Sequence, residues 1–301
     1  MLETTSRKQG IAIEAPAKVN LTLRVLGPRK DGYHDLESVV AAVSLFDALE
    51  FEPAPDVRLA CEGLAVPNGD ENLVMKAARR LAEECGCRKG AHIRLKKSIP
   101  PGRGFGGGSS DAAAAMVGLN ALWDTGMSRK ELACLGASIG SDVPLFLGSP
   151  VCVIRGRGEF VEPAAGACAW RLVLAWPDFG LSTADVYAAY DRLGAPRAAR
   201  PPATEILRRL ARPVRDAAQF LINDLEPAAD VVRGRRTDVR AILRQAGAHA
   251  VGMTGSGSAY FALADTESDA KRLVQKTRAA GTQACVATIV AGAEEQKEVP
   301  Q

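Results

Sequence analysis

Residues 100–111 read Pro-Pro-Gly-Arg-Gly-Phe-Gly-Gly-Gly-Ser-Ser-Asp and run without a break into Ala-Ala-Ala-Ala-Met-Val-Gly-Leu-Asn-Ala-Leu-Trp over residues 112–123. Five glycines lie within the seven positions from 102 to 108, and a stretch with so few side chains cannot pack a core. The alanine-rich stretch is a strong helix former, with Ser109, Ser110 or Asp111 placed as its N-cap. In such a loop successive backbone N–H groups can converge on an anion, and the helix N-terminus adds partial positive charge. Phosphate is the expected guest.

The same loop spells Gly102-x-Gly104-x-x-Gly107, the dinucleotide-binding pattern, but the acidic residue about 20 positions on, Asp124, closes a helix instead of ending a second parallel strand. It also lacks the Gly-Lys-Ser/Thr ending of a P-loop, so no adjacent lysine serves the terminal phosphates. A third kind of phosphate loop is required.

The chain of 301 residues is long enough for about two domains. Residues 11–26 alternate apolar and polar positions as two strands separated by Pro16, and residues 36–51 continue as strand around Asp47. Residues 71–85 carry a helical apolar stripe that Gly86 stops, and residues 92–97 alternate again just before the loop. Ser128-x-x-Glu131 is a capping box for the next helix, which ends at Gly140. Periodicity lapses over residues 161–169, which sets the expected boundary between domains 1–165 and 166–301. The second half reads strand (171–176), helices (183–245), two strands flanking Gly255-Ser-Gly257, helix (268–280) and strand (283–290), the βαββαβ plan of a ferredoxin-like domain.

Lys plus Arg number 38 against 35 acidic residues, and a balance of +3 is too small for a polyelectrolyte grip on nucleic acid. Seven arginines against one acid between residues 192 and 215 read as a solvated helical face. No apolar run is long enough to span a bilayer, and the polar start of the chain does not read as a secretory signal. Seven cysteines without a Cys-x-x-Cys pair fit a reducing cytoplasm, the expected location. Only three histidines are present, too few for an evident zinc site or a serine–histidine triad.

Three blocks resemble the GHMP kinases: Pro16-Ala-Lys-Val-Asn-Leu with Asp31-Gly-Tyr-His-Asp-Leu, residues 100–111, and Met253-Thr-Gly-Ser-Gly-Ser-Ala-Tyr-Phe261. Supporting stretches are Glu71-Asn-Leu, Gly140-Ser-Asp-Val-Pro-Leu-Phe, Gly180-Leu-Ser-Thr-Ala-Asp-Val-Tyr187 and Asn223-Asp-Leu-Glu-Pro, so the likeness covers nearly the whole chain in order. The Asp-Gly-Tyr-His block points within that family to the branch acting on a cytidine-diphosphate-linked methylerythritol of the non-mevalonate isoprenoid route. The resemblance implies an α+β, two-domain fold, with a ribosomal-protein-S5-like N-terminal domain and a ferredoxin-like C-terminal one. It implies ATP and Mg²⁺ as cofactors, a small-molecule substrate, and a monomer or weak homodimer.

Residue by residue, the resemblance implies Asp142 as the base that accepts the hydroxyl proton and Lys18 as the cation that supports the alkoxide. Gly104, Gly106, Gly107, Gly108, Ser109 and Ser110 match the loop around the triphosphate, with Ser110 on Mg²⁺. Pro100, Gly102, Arg103 and Phe105 belong to the same loop, Lys97 precedes it as a further cation, and Asn72 matches a nucleotide contact. Tyr33 and His34 match the pair that holds the cytosine, Tyr187 takes the other aromatic position, and Asn20 and Thr183 match polar substrate contacts. Gly255, Ser256 and Gly257 are expected to bring backbone close to substrate phosphate. Arg103 stands where the family carries a small residue, and either a phosphate contact or a solvent-facing side chain is open to it. A silent nucleotide sensor is the alternative from a different class, disfavoured by the retention of both Lys18 and Asp142.

Overall fold

A computed structural model describes residues 1–7, 10–164, 170–194, 201–210 and 213–290. In chain order its elements are β1 (Thr5–Arg7), β2 (Gly10–Pro28), β3 (His34–Ala54), β4 (Val57–Gly63), α1 (Leu73–Cys85), β5 (Gly90–Lys97), α2 (Gly107–Trp123), α3 (Arg129–Gly136), α4 (Val143–Leu147), β6 (Val151–Gly156) and β7 (Phe160–Pro163). There follow β8 (Arg171–Trp176), α5 (Thr183–Leu193), α6 (Ala203–Leu210), α7 (Val214–Ala217), α8 (Glu226–Arg233), α9 (Val239–Ala246), β9 (Ala250–Met253), β10 (Tyr260–Ala264), α10 (Glu267–Ala279) and β11 (Gln283–Thr288).

The two strands expected on either side of Pro16 are one. β2 pairs antiparallel with β3 over nearly its whole length, with a register shift between Pro16 and Ala17 where β3 holds two extra residues. Pro16 sits at that irregularity, the kind of place within a strand where a residue without an N–H is tolerated. The bulge also changes which face is which. On β2, Ile13 and Ala15 pack beneath the helices, whereas beyond the shift Ala17, Val19 and Leu21 pack toward the second sheet. The even-numbered Lys18 and Asn20 are thereby turned to the helical side, where the glycine loop lies.

β3 is the spine of a seven-stranded sheet, pairing β2 along one edge and, along the other, β6 near its start and β5 near its end. The second sheet runs β11-β8-β10-β9 with every neighbouring pair antiparallel, the order of a βαββαβ unit. Its strands are buried on both faces. Leu172, Leu174, Phe261 and Leu263 face the first sheet, while Val173, Ala175, Tyr260 and Ala262 face α5, α8, α9 and α10. The layers are therefore helices (α1–α4), sheet, sheet, helices.

α2 is buried on almost every side, and its approach to β3 needs a glycine: a Cβ on Gly118 would meet the Phe51 ring at 2.4 Å. The helix expected from Ser109 or later starts earlier, at Gly107 with Gly106 as N-cap, so the last glycines of the loop form its first turn. The Gly86 stop and the Ser128–Glu131 capping box are present, and α3 ends at Gly136 rather than at Gly140. The expected domain boundary falls on residues 165–169, outside the described residues, as do much of the arginine-rich stretch and the tail from 291 onward. Among the described residues no helix is long and apolar enough to cross a membrane.

Candidate active site

Beyond β1, one edge of β2 is left without a partner strand, and its N–H groups assemble the site. Lys18 N donates to Phe105 O (2.9 Å), Asn20 N to Thr254 Oγ1 (3.1 Å), Leu23 N to Ile222 O (2.7 Å) and Val25 N to Asp224 Oδ2 (3.0 Å). An open strand edge is thus covered by three loops: the glycine loop, the β9–β10 turn and the segment before α8. A cavity of about 950 Å³ opens between them.

Gly102, Gly104 and Gly106 alternate at φ of +67°, +85° and +71°, a path that side-chain-bearing residues rarely follow. Gly104 is also a close approach, since a Cβ there would meet Thr254 O at 2.3 Å. Phe105 is an anchor: its ring is buried edge-on against Trp176, with centroids 5.7 Å apart. Ser110 N bonds Gly106 O, the first turn of α2, which leaves the N–H groups of Gly107, Gly108 and Ser109 without an intrahelical acceptor, and no side chain caps Gly106. Gly107, Gly108 and Ser109 line the cavity, so the anion site expected from sequence has both its donors and its opening.

Lys18 reaches Asn20 Oδ1 at 2.6 Å and lies 3.8 Å from Asp142 Oδ2. Its burial pulls the ammonium below its ordinary pKa, while the Asp142 charge opposes that shift. Asn20 is held at both ends of its amide: Oδ1 also accepts from Gly255 N (2.9 Å), and Nδ2 donates to Ser38 Oγ (2.8 Å). Asp142 precedes α4 without capping it, and its half-buried carboxylate lines the cavity. Two residues 124 positions apart in the chain therefore meet beside the phosphate loop.

At the other end of the cavity, His34 stacks on Tyr187 (5.0 Å, 27°), and Tyr33 is exposed beneath the Arg157 guanidinium (5.0 Å). Thr183 Oγ1 and Ser256 Oγ share a hydrogen bond of 2.9 Å. Gly255 and Ser256 line the cavity; Gly257 does not.

Other expected site residues sit differently from a simple phosphate contact. Lys97 lines the cavity but is buried, its ammonium held between Asp47 and Asp111 Oδ2 (2.6 Å to the latter), so its charge is already matched. Ser110 is buried with its hydroxyl unpartnered and away from the cavity, whereas Ser109 lines it. Arg103 lines the cavity and is also anchored to the protein itself. Its guanidinium donates to the carbonyls of Pro177 (3.2 Å), Pro101 (3.1 Å) and Asp178 (2.7 Å), tying the glycine loop to the end of β8. Asn72 caps α1 by accepting from Val74 N (2.9 Å) and donates to Pro67 O (2.6 Å) at the cavity wall.

Residues of the site that the sequence did not single out include Thr254, Ser38, Asp47 and Asp191. Asp47, an acid inside an apolar strand, was the one signal available. Its Oδ1 accepts from Ser98 N (2.5 Å) and Ile99 N (2.8 Å) and so fixes the approach to the loop.

The family models for the GHMP kinases N terminal domain and the GHMP kinases C terminal match residues 72–149 and 203–298. A protein of Pelotomaculum thermopropionicum called 4-diphosphocytidyl-2-C-methyl-D-erythritol kinase is 45% identical over 84% of this chain and 89% of its own length. The chain is a GHMP kinase. A protein of Symbiobacterium thermophilum with the same name is 41% identical over 88% of this chain and 95% of its own. A solved 4-(cytidine 5'-diphospho)-2C-methyl-D-erythritol kinase superposes with a TM-score of 0.79 at 37% identity, covering 93% of this chain and all of that one. Homoserine kinase from Cytophaga hutchinsonii, at 20% identity and a TM-score of 0.70 over 96% of this chain and 98% of that one, shares the fold. The two sheets and the loop between them are thus the two-domain architecture of GHMP kinases, and the chain is a phosphotransferase of that family.

Proposed function

We propose that this GHMP kinase transfers the γ-phosphoryl group of ATP to a hydroxyl of 4-diphosphocytidyl-2-C-methyl-D-erythritol. The observation that carries the reading is a single cavity with three stations: unpaired N–H groups at the α2 N-terminus, Lys18 and Asp142 3.8 Å apart beside them, and the His34–Tyr187 stack beyond. The relatives named for that substrate are 37–45% identical, which supports the same acceptor here.

The acceptor hydroxyl gives its proton to Asp142 as its oxygen forms the new bond to phosphorus, and the bond from the γ-phosphorus to the β–γ bridging oxygen breaks to release ADP. Lys18, desolvated and held by Asn20, steadies the negative charge gathering on the acceptor oxygen and keeps the aspartate oriented. The N–H groups of Gly107, Gly108 and Ser109 take the polyphosphate.

For Mg²⁺ the donor set fits: the ion keeps waters and phosphate oxygens and so needs few protein oxygens, and Ser109 lines the cavity beside the uncapped N-terminus of α2. Ser109 is the cavity-lining hydroxyl that would hold it, leaving Asp142 as the base, and when bound it would neutralise phosphate charge.

The test is ADP release over a panel of cytidine-linked and free polyols, with Asp142→Asn as control. Turnover confined to the cytidine-linked acceptor and lost in the variant is expected. Equal turnover of free polyols removes the cytosine part of the reading, and an active variant removes Asp142 as base.

A further inference from the structure

His34 Nε2 lies 2.8 Å from Asp191 Oδ1, a contact between the first residue of β3 and the last turn of α5. We infer that Asp191 is a positioning residue that sets the ring tautomer of His34 and, through it, the choice of cytosine over uracil in the acceptor. The inference rests on the acceptor reading above.

A carboxylate only accepts hydrogen bonds, so the neutral imidazole facing it must carry its proton on Nε2. Nδ1 is then the ring's acceptor, and it has no hydrogen-bond partner among the described residues. The ring is not free to exchange the two nitrogens. Tyr187 covers one face at 5.0 Å, Tyr190 meets it edge-on at 6.1 Å, and the His34 side chain is only 7% exposed.

Cytosine and uracil differ in the polarity of the same edge. Cytosine offers an exocyclic amino donor beside an acceptor ring nitrogen, whereas uracil offers a carbonyl acceptor beside a ring N–H. A fixed acceptor at Nδ1 completes a hydrogen bond with the cytosine amino group and faces the uracil carbonyl lone pair to lone pair, the kind of mismatch that separates analogues strongly. Without Asp191 either tautomer serves, and the distinction is lost. The side chain of Asp191 is 57% exposed, so it anchors the imidazole at little packing cost and can be replaced without opening the core.

The experiment has two arms. In the first, the ring ¹⁵N shifts of His34 in the wild-type protein, assigned against His34→Gln, are read near neutral pH; a protonated Nε2 with a bare Nδ1 is expected, and the opposite tautomer or an imidazolium overturns the inference. In the second, kcat and KM are measured for matched cytidine- and uridine-linked acceptors with wild type, Asp191→Ala and Asp191→Asn. The wild-type preference for the cytidine compound is expected to shrink by about tenfold or more in Asp191→Ala, through KM rather than kcat, and less in Asp191→Asn, whose amide oxygen can still accept. An unchanged preference overturns the inference while leaving the acceptor reading intact. A wild-type enzyme inactive on the cytidine-linked compound overturns the acceptor reading and this inference with it. The first arm needs no variant of Asp191 to fold.

Discussion

The Lys18 ammonium stands 3.8 Å from Asp142 Oδ2, near enough for attraction and too far for a direct hydrogen bond, while its short contact is with Asn20. The lysine is therefore held by a neutral amide and left available to a third oxygen between it and the aspartate. Such an arrangement suits a hydroxyl that must lose a proton on one side and be steadied on the other.

Lys18→Met separates catalysis from folding. Burial already penalises the ammonium, so a methionine of similar shape is expected to leave the melting temperature unchanged or raised. Turnover is expected to fall by about a hundredfold or more, as for a lost electrostatic partner of the reacting oxygen. Melting curves and steady-state rates on the same preparation check both halves.

Gly106→Ala tests the loop's backbone path. At φ +71° a Cβ is strained, and it would stand 3.0 Å from Lys18 Cγ and 3.1 Å from Phe146 Cζ. A loss of about 1–3 kcal/mol in stability is expected, together with weaker binding of ATP. Denaturant unfolding with and without ATP measures the two effects.

Arg103→Ala releases the glycine loop from the Pro177 and Asp178 carbonyls. The expected outcome is a several-fold weaker ATP affinity with no loss of charge-dependent steering, so the salt dependence of binding stays as in wild type. Titration calorimetry at two ionic strengths decides it; a flattened salt dependence would mean that the guanidinium meets phosphate directly.

Asp111 supplies the pH prediction. Burial, with Asp47 as a further acidic neighbour, raises its carboxyl to about 8 against the pull of Lys97. The folded chain then holds a proton that the unfolded chain has lost, so stability is full below the ordinary carboxyl range of about 4 and declines as pH rises toward 8. Asp111→Asn keeps the shape and removes the titration. Its melting temperature, measured without nucleotide or metal, is expected to fall less than that of wild type between pH 5 and about 8.

Much of this protein was legible in its residues because local chemistry writes itself locally. The glycine run, the alanine-rich helix, the Gly86 stop, the capping box and the βαββαβ order each depend on neighbours a few positions away, and all are present. Pro16 misled, since a proline can sit inside a strand at a bulge, where the ladder is already interrupted. The partners of Lys97 were not legible either, because Asp47 and Asp111 reach its ammonium from 50 and 14 residues away.

The sequence by itself determined that a side-chain-poor turn would open a helix, and its resemblance to the GHMP kinases marked a lysine, an aspartate and an aromatic–imidazole pair as the residues to watch. Only the tertiary structure decided that Lys18 faces Asp142, that Arg103 ties the glycine loop to the end of β8, and that Asp191 reaches His34 from 157 positions away. The reason is geometric. Backbone preferences act within a turn or two, whereas charge pairing and tautomer depend on which side chains the β2–β3 bulge and the packing of two sheets bring within a few ångströms.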